Sequence, residues 1–181
     1  MIIIPRRWIK MVEIREAESS ELAALIPVYK EAYQEHLIFK KKTDADIIEY
    51  MQKAHADAAA DGGGFIIALL NDEVVGGLLL RKSLQGDSHS RWKIRHVAVM
   101  EKYRDQDIGT ELLQAAEQKL VELIKKGDFI TAKAEVSVAE GEKEAVDFYE
   151  KAGFKLEGTR ADHYRLGENV YLLGKTIGIQ Q

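Results

Sequence analysis

The chain has no cysteine among its 181 residues. That absence excludes disulfide staples, a thiol nucleophile and thiolate metal sites. It has no basic excess either: 26 Lys and Arg stand against 30 Asp and Glu, a net charge of −4. Nucleic-acid binders usually carry the opposite balance, so nucleic acid is not expected as a partner. Long apolar runs are missing as well. Residues 1–4 are apolar and are followed by Arg6 and Arg7. That run is too short to span a bilayer, and its charges follow the apolar stretch rather than precede it. Without a targeting signal the expected location is the cytoplasm, with no membrane partner. The five histidines, His36, His55, His89, His96 and His163, show no close ligand spacing, so no metal is expected. There is also no internal repeat and no low-complexity linker.

What remains is alternation. Residues 12–15 read as a short strand. Ser19 and Ser20 offer N-caps to a helix carrying Leu22, Leu25, Ile26, Tyr29 and Tyr33. A second helix begins at 43–46 and stops at the glycines 62–64. Two apolar runs, 65–70 and 74–80, flank Asn71-Asp72-Glu73 and predict a hairpin. A polar loop is expected over 83–90, and a strand over 92–100. A helix follows with Ile108, Leu112, Leu113, Ala116, Leu120, Leu123 and Ile124 on one stripe. Strand 129–138, helix 142–152 and strands 154–157 and 163–173 complete the chain. The expected class is α/β (α+β): a mixed, mostly antiparallel sheet of about seven strands with helices on both faces. Residues 1–11 read as an N-terminal extension, with Met11 an alternative start, and 12–181 as a single domain.

The richest segment joins strand 92–100 to the helix at Ile108. Such a joint aims several backbone N–H groups at one point, with the positive end of the helix dipole behind them. It is a ready phosphate site. Read as a motif, Val97-Ala98-Val99 leads to Arg104, Asp105, Gln106, Asp107, Ile108, Gly109 and Thr110. A second motif places Ala145, Phe148 and Tyr149 on a helix ending in Gly153-Phe154.

Both motifs, in this order with a strand between them, resemble the GNAT superfamily of acetyl-CoA-dependent N-acetyltransferases. The family's cofactor signature is Gln or Arg, two residues, Gly, one residue, then Gly or Ala. Arg104, Ile108 and Gly109 fit it. Asp107 stands where the first glycine belongs, and Glu142 where the family often has an Asn near the pantetheine arm. The resemblance implies acetyl-CoA as cosubstrate, bound by Val97, Ala98, Val99, Arg104, Asp105, Gln106, Asp107, Ile108, Gly109 and Thr110. It implies Tyr149 as the acid that protonates the departing thiolate, since a phenol with pKa near 10 stays protonated at neutral pH. By spacing alone Tyr149 reads equally as core. The oxyanion donors would be backbone N–H groups at the end of 97–99.

Two points bear on strength and chemistry. Like charges about 6 Å apart repel by roughly 3 kcal/mol at an effective dielectric near 20, so Asp107 facing a pyrophosphate should weaken binding. Alternatively Asp107 caps the helix, its carboxylate bonding back to the Gly109 or Thr110 N–H. The general base is open. Strict alternation groups Lys93, Arg95, Val97 and Val99 on one face and turns His96 away. Glu135, Ser137 and a water chain are the other candidates. Lys93, Arg95 and the triplet Lys40, Lys41 and Lys42 suit an acceptor bearing a carboxylate or phosphate. The implied function is acetyl transfer to a primary amine of a small molecule or peptide by direct attack. A non-catalytic acyl-CoA-binding module of the same fold is the alternative. A homodimer is compatible with either reading.

Overall fold

The computed structural model describes residues 12–33, 42–163 and 165–178. The expected extension 1–11, with His36, Lys40, Lys41 and Tyr164, lies outside them. Strand β1 (Val12–Glu16) leads into a 3₁₀ segment, Ser19–Leu25, and then helix α1 (Ile26–Ala32). Helix α2 (Asp44–Ala59) precedes the hairpin β2 (Gly64–Leu70) and β3 (Glu73–Gln85). Strand β4 (His89–Val99), a 3₁₀ turn (Glu101–Tyr103) and helix α3 (Ile108–Lys126) follow. The chain continues with β5 (Thr131–Ala139), α4 (Lys143–Lys151), β6 (Lys155–Arg160) and β7 (Val170–Gly178). The strands form one seven-stranded sheet in the order β1-β2-β3-β4-β5-β7-β6. Only β4 and β5 run parallel; every other neighbouring pair is antiparallel.

Each face of the sheet carries helices. On one, α3 and α4 cover Trp92, Ile94, Ala132, Ala134, Val136 and Leu173. On the other, α1 and α2 cover Phe65, Ile67, Leu79 and Ala98. Local chemistry explains most boundaries. Thr43 caps α2 through a capping box, Asp46 N–H donating to Oγ1 at 3.2 Å and Thr43 N–H to the Asp46 carboxylate at 2.8 Å. Asn71 and Asp72, at φ +52° and +65°, make the two-residue hairpin turn whose twist matches the strands.

Several boundaries differ from the pattern. Glu18, not Ser19 or Ser20, is the N-cap, in a capping box with Glu21. Arg15 pins Glu21 with two bonds of 2.6 and 2.7 Å and holds its carboxyl down near about 2. The expected loop 83–90 shrinks to 86–88, because β3 and β4 extend their ladder to Gln85↔Ser90. The last strand begins at Val170. His163 sits in the β6–β7 connection, where its N–H donates to the Glu168 carbonyl at 3.0 Å.

Candidate active site

The central feature is a change within β4. Its first half pairs with β5 from His89↔Thr131 to Lys93↔Glu135, and there the pairing stops. From Ile94 to Val99 no strand among the described residues bonds that edge, although β5 continues to Ala139. The β3 side changes at the same place. Leu79 pairs with Arg95 and Gly77 with Ala98, so His96 and Val97 oppose Leu78 alone. This is a β-bulge, with His96 at φ +54°. Histidine is among the few non-glycine residues enriched in that region.

An inserted residue reverses the alternation that follows it. Before the bulge, Trp92 and Ile94 face α3 and α4, while Lys93 and Arg95 are exposed on the α1–α2 face. After it, Val97 and Val99 pack toward α3 and α4, and Ala98 joins the α1–α2 core. The expected grouping of Lys93, Arg95, Val97 and Val99 is therefore wrong, as is the expectation that His96 turns away from Lys93 and Arg95. His96 lies among Tyr29, Tyr33 and Tyr50, ring centroids 5.8, 6.3 and 5.8 Å away. The Tyr50 hydroxyl is 2.9 Å from Nε2 of His96, and the Tyr33 hydroxyl donates to the Val97 carbonyl at 2.9 Å. Burial raises the Tyr29 phenol well above its usual range, with the Tyr33 and Tyr50 phenols adding to it. Neither Tyr33 nor Tyr50 stands out in the sequence as more than packing. The signal was present: Tyr50 falls three residues after Ile47 on the inward stripe of α2.

Beyond Val99 the chain crosses into α3. The Arg104 guanidinium folds back, Nε donating to the Val99 carbonyl at 3.2 Å. Asp105 and Asp107 hold φ of +59° and +60°, the left-handed conformation that glycine adopts most freely. Asp107 occupies the N-cap position of α3, and its carbonyl accepts from Glu111 N–H at 2.9 Å. Its carboxylate makes no capping bond, so the alternative in which it bonds back to Gly109 or Thr110 does not hold. The first-turn N–H groups of Ile108, Gly109 and Thr110 are thus not consumed by that side chain. Arg104, Asp105, Gln106 and Asp107 are all exposed.

The second motif abuts the first. A Cβ on Gly109 would lie 3.2 Å from the Phe148 ring, so glycine lets α3 begin directly against α4. Tyr149, next along α4, is buried in the cluster that includes Val136 and Val138 and packs against Val97 and Val99. Phe148 and Phe154 flank its ring at 5.1 and 5.7 Å. Its hydroxyl has no hydrogen-bond partner among the described residues. Burial pushes the phenol well above its usual pKa, and the nearby Glu142 carboxylate adds in the same direction. Glu142 itself is the N-cap of α4, without a side-chain bond.

Of the other candidates, Glu135 sits at the last paired position beside the gap. Its carboxylate is held by Arg91, through Nε at 2.9 Å and again through Nη2. Ser137, two residues on, is exposed. Lys42 lies 5.6 Å from the centre of the Tyr50 ring. No helix among the described residues is long and apolar enough to cross a membrane.

Comparison with known proteins agrees with this geometry. Residues 22–154 match the acetyltransferase (GNAT) family. The chain is 27% identical over 127 residues, 64% of its own length, to an N-alpha-acetyltransferase of Saccharolobus solfataricus, covering 71% of that protein. An acetyltransferase of the GNAT family from Streptococcus pneumoniae superposes at a TM-score of 0.69 with 22% identity, covering 93% of this chain and all of that one. Arabidopsis thaliana Naa50, in complex with the bisubstrate analogue CoA-Ac-MVNAL, superposes at 0.65 with 23% identity, covering 91% of this chain and 97% of that one. The bulged, half-open β4, the uncapped first turn of α3 and the family match lead to one conclusion: this chain belongs to the acetyltransferase (GNAT) family and is an acyltransferase.

Proposed function

We propose that the protein transfers the acetyl group of acetyl-CoA to a primary amine of a small molecule or peptide by direct attack. The observation that carries this reading is the gap between β4 and β5. It opens at Lys93↔Glu135 and has Tyr149 packed among the residues on one face and His96 on the other. When bound, acetyl-CoA supplies the activated thioester.

The chain's own residues supply the rest. The edge of Ile94–Val99 that β5 leaves offers backbone amides to the pantetheine arm as an added strand would. The N–H groups of Ile108, Gly109 and Thr110, at the positive end of α3, take the pyrophosphate, with Arg104, Asp105, Gln106 and Asp107 framing the loop. Backbone N–H groups of the Val97-Ala98-Val99 run meet the charge that develops on the acetyl oxygen. Tyr149, kept protonated by burial, gives its proton to the departing sulfur. His96 is the favoured proton acceptor for the incoming ammonium. Glu135 is tied through one carboxylate oxygen, Oε1, to Arg91, whereas His96 lies on the opposite side of the gap from Tyr149, with the Tyr50 hydroxyl 2.9 Å from its Nε2.

One observation favours the alternative, a module that holds acyl-CoA without turnover. Asp107 brings a carboxylate to the phosphate loop, and Glu142 another to the arm. The deciding experiment measures CoA release from acetyl-CoA with a panel of amines and peptides, alongside calorimetric binding of CoA. Turnover with any acceptor supports the transferase. Binding with no turnover across the panel supports the holding module.

A further inference from the structure

The α1–α2 face of the sheet carries a strip of three exposed cations beside the gap. Arg81 and Lys93 are direct cross-strand partners, and Arg95 is paired with Leu79 two residues on. Paired residues share a face, and Leu79 belongs to the core under α1 and α2, so all three cations project on the His96 side. All three are exposed, and none has an ion-pair partner among the described residues. Two further cations on this face are already neutralised: Arg91 by Glu135, and Lys133 by Glu157 at 2.7 Å. Glu135 and Glu157 are thus each paired with another cation, and no ion pair among the described residues reaches the three strip residues.

Like charges directly opposite on antiparallel strands destabilise the pair, and the carboxylate in register with Lys93, Glu135, is ion-paired with Arg91 rather than with Arg81 or Lys93. An anion lying between those two would relieve the repulsion. At roughly 3.3 Å per residue, Arg95 and Lys93 stand about 7 and 13 Å along the strand from Val97, where the proposed transfer occurs. The strip also acts on the amine itself. Neighbouring cations disfavour the protonated form, so an ammonium bound here loses its proton more readily. A polycationic acceptor would be repelled.

We infer that the acceptor is an amine carrying a carboxylate or phosphate about 7–13 Å from the reacting nitrogen, with Arg81, Lys93 and Arg95 as the selecting residues. An acidic peptide N-terminus is one source of that chemistry; a small amine bearing a phosphate or carboxylate is the other. The inference rests on the transferase reading for the position of the amine, but binding can be tested without turnover.

The test is fluorescence anisotropy on the full chain saturated with CoA. Three labelled hexapeptides with free N-termini are compared, carrying Asp and Glu, Gln and Ser, or Lys at positions two to four. O-phosphoethanolamine serves as the small competitor. The acidic peptide should bind at least tenfold tighter than the neutral one, and the preference should shrink as salt rises. The double variant Arg81→Gln with Lys93→Gln should reduce the preference to within twofold and leave CoA affinity unchanged. Displacement of the acidic peptide by millimolar O-phosphoethanolamine identifies the small-molecule source, and its absence the peptide. Equal or tighter binding of the neutral or lysine peptide would overturn the inference. So would a preference that survives in the double variant. Loss of turnover with peptide preference intact would count against the transferase reading alone.

Discussion

The two halves of β4 are built to different rules. From Ser90 to Lys93 the strand has partners on both sides and its residues alternate strictly, the one irregularity there falling in β3 between Lys82 and Leu84, with Ser90 and Trp92 fully buried and Arg91 and Lys93 exposed. From Ile94 to Val99 it loses its β5 partner, bulges at His96 and reverses its faces. The first half makes the fold; the second has no β5 partner, and the proposed chemical groups gather around it. A sheet that stayed paired throughout would have no edge to offer a pantetheine arm and no passage between Tyr149 and His96.

Perturbing each half should therefore give different symptoms. The largest effect expected in the paired half is on stability. Trp92 is fully buried, packs 6.2 Å from Phe129, and donates to Ser90 Oγ at 2.8 Å. Trp92→Ala should cost about 3–5 kcal/mol in denaturant unfolding. Trp92→Phe should recover most of that without altering the preference among acceptors.

Around the open half the effect should fall on turnover instead. Tyr149→Phe keeps the ring between Phe148 and Phe154 and removes only the proton. We expect kcat to drop by about 10²–10⁴-fold, with CoA affinity and melting temperature nearly unchanged. Undiminished turnover would return Tyr149 to the core.

A smaller effect is expected at Asp107. Its exposure places the repulsion between about 0.7 kcal/mol in water and about 3 kcal/mol near a protein surface at 6 Å. Asp107→Gly also suits the φ of +60°. Calorimetry should show CoA binding about tenfold tighter. Weaker binding would give Asp107 a supporting part that its geometry does not reveal.

The smallest effect lies far from the gap. His55 Nδ1 accepts the Phe65 N–H at 3.1 Å, and its pKa is lowered from 6.5, by burial, with Glu16 opposing. The unfolded chain takes up this proton first as pH falls. This stabilisation is therefore complete above about pH 6.5 and lost progressively below it. Unfolding midpoints should fall between pH 7 and pH 5, and the slope should flatten in His55→Gln.

Much of this was legible in the residues and some was not, for physical reasons. The apolar stripe Ile108–Ile124, the Asn71-Asp72 turn and the glycine stop at Gly127 are local signals, and local signals survive folding. The bulge at His96 is not local. Period-two reading assumes that no residue is inserted, and nothing adjacent to His96 announces one; it lies where β5 parts from β4, a long-range feature. That one residue moved Val97 and Val99 to the other face and brought His96 round to Tyr50. The same limit hid the state of Asp107. The sequence allowed a capping carboxylate, whereas Asp107 takes a left-handed backbone and its carboxylate makes no cap bond. The strand expected at His163 failed differently. The turn at Asp162, whose carboxylate accepts the Gly167 N–H at 2.6 Å, pulls those residues out of the ladder.

The most direct measurement is amide hydrogen exchange with and without CoA. If the open half of β4 and the first turn of α3 receive the cosubstrate, CoA should slow exchange within Ile94–Val99 and at Ile108, Gly109 and Thr110. His89–Lys93 should exchange at the same rate in both conditions. Unchanged exchange along Ile94–Val99 under saturating CoA, or protection confined to another part of the sheet, would contradict the account.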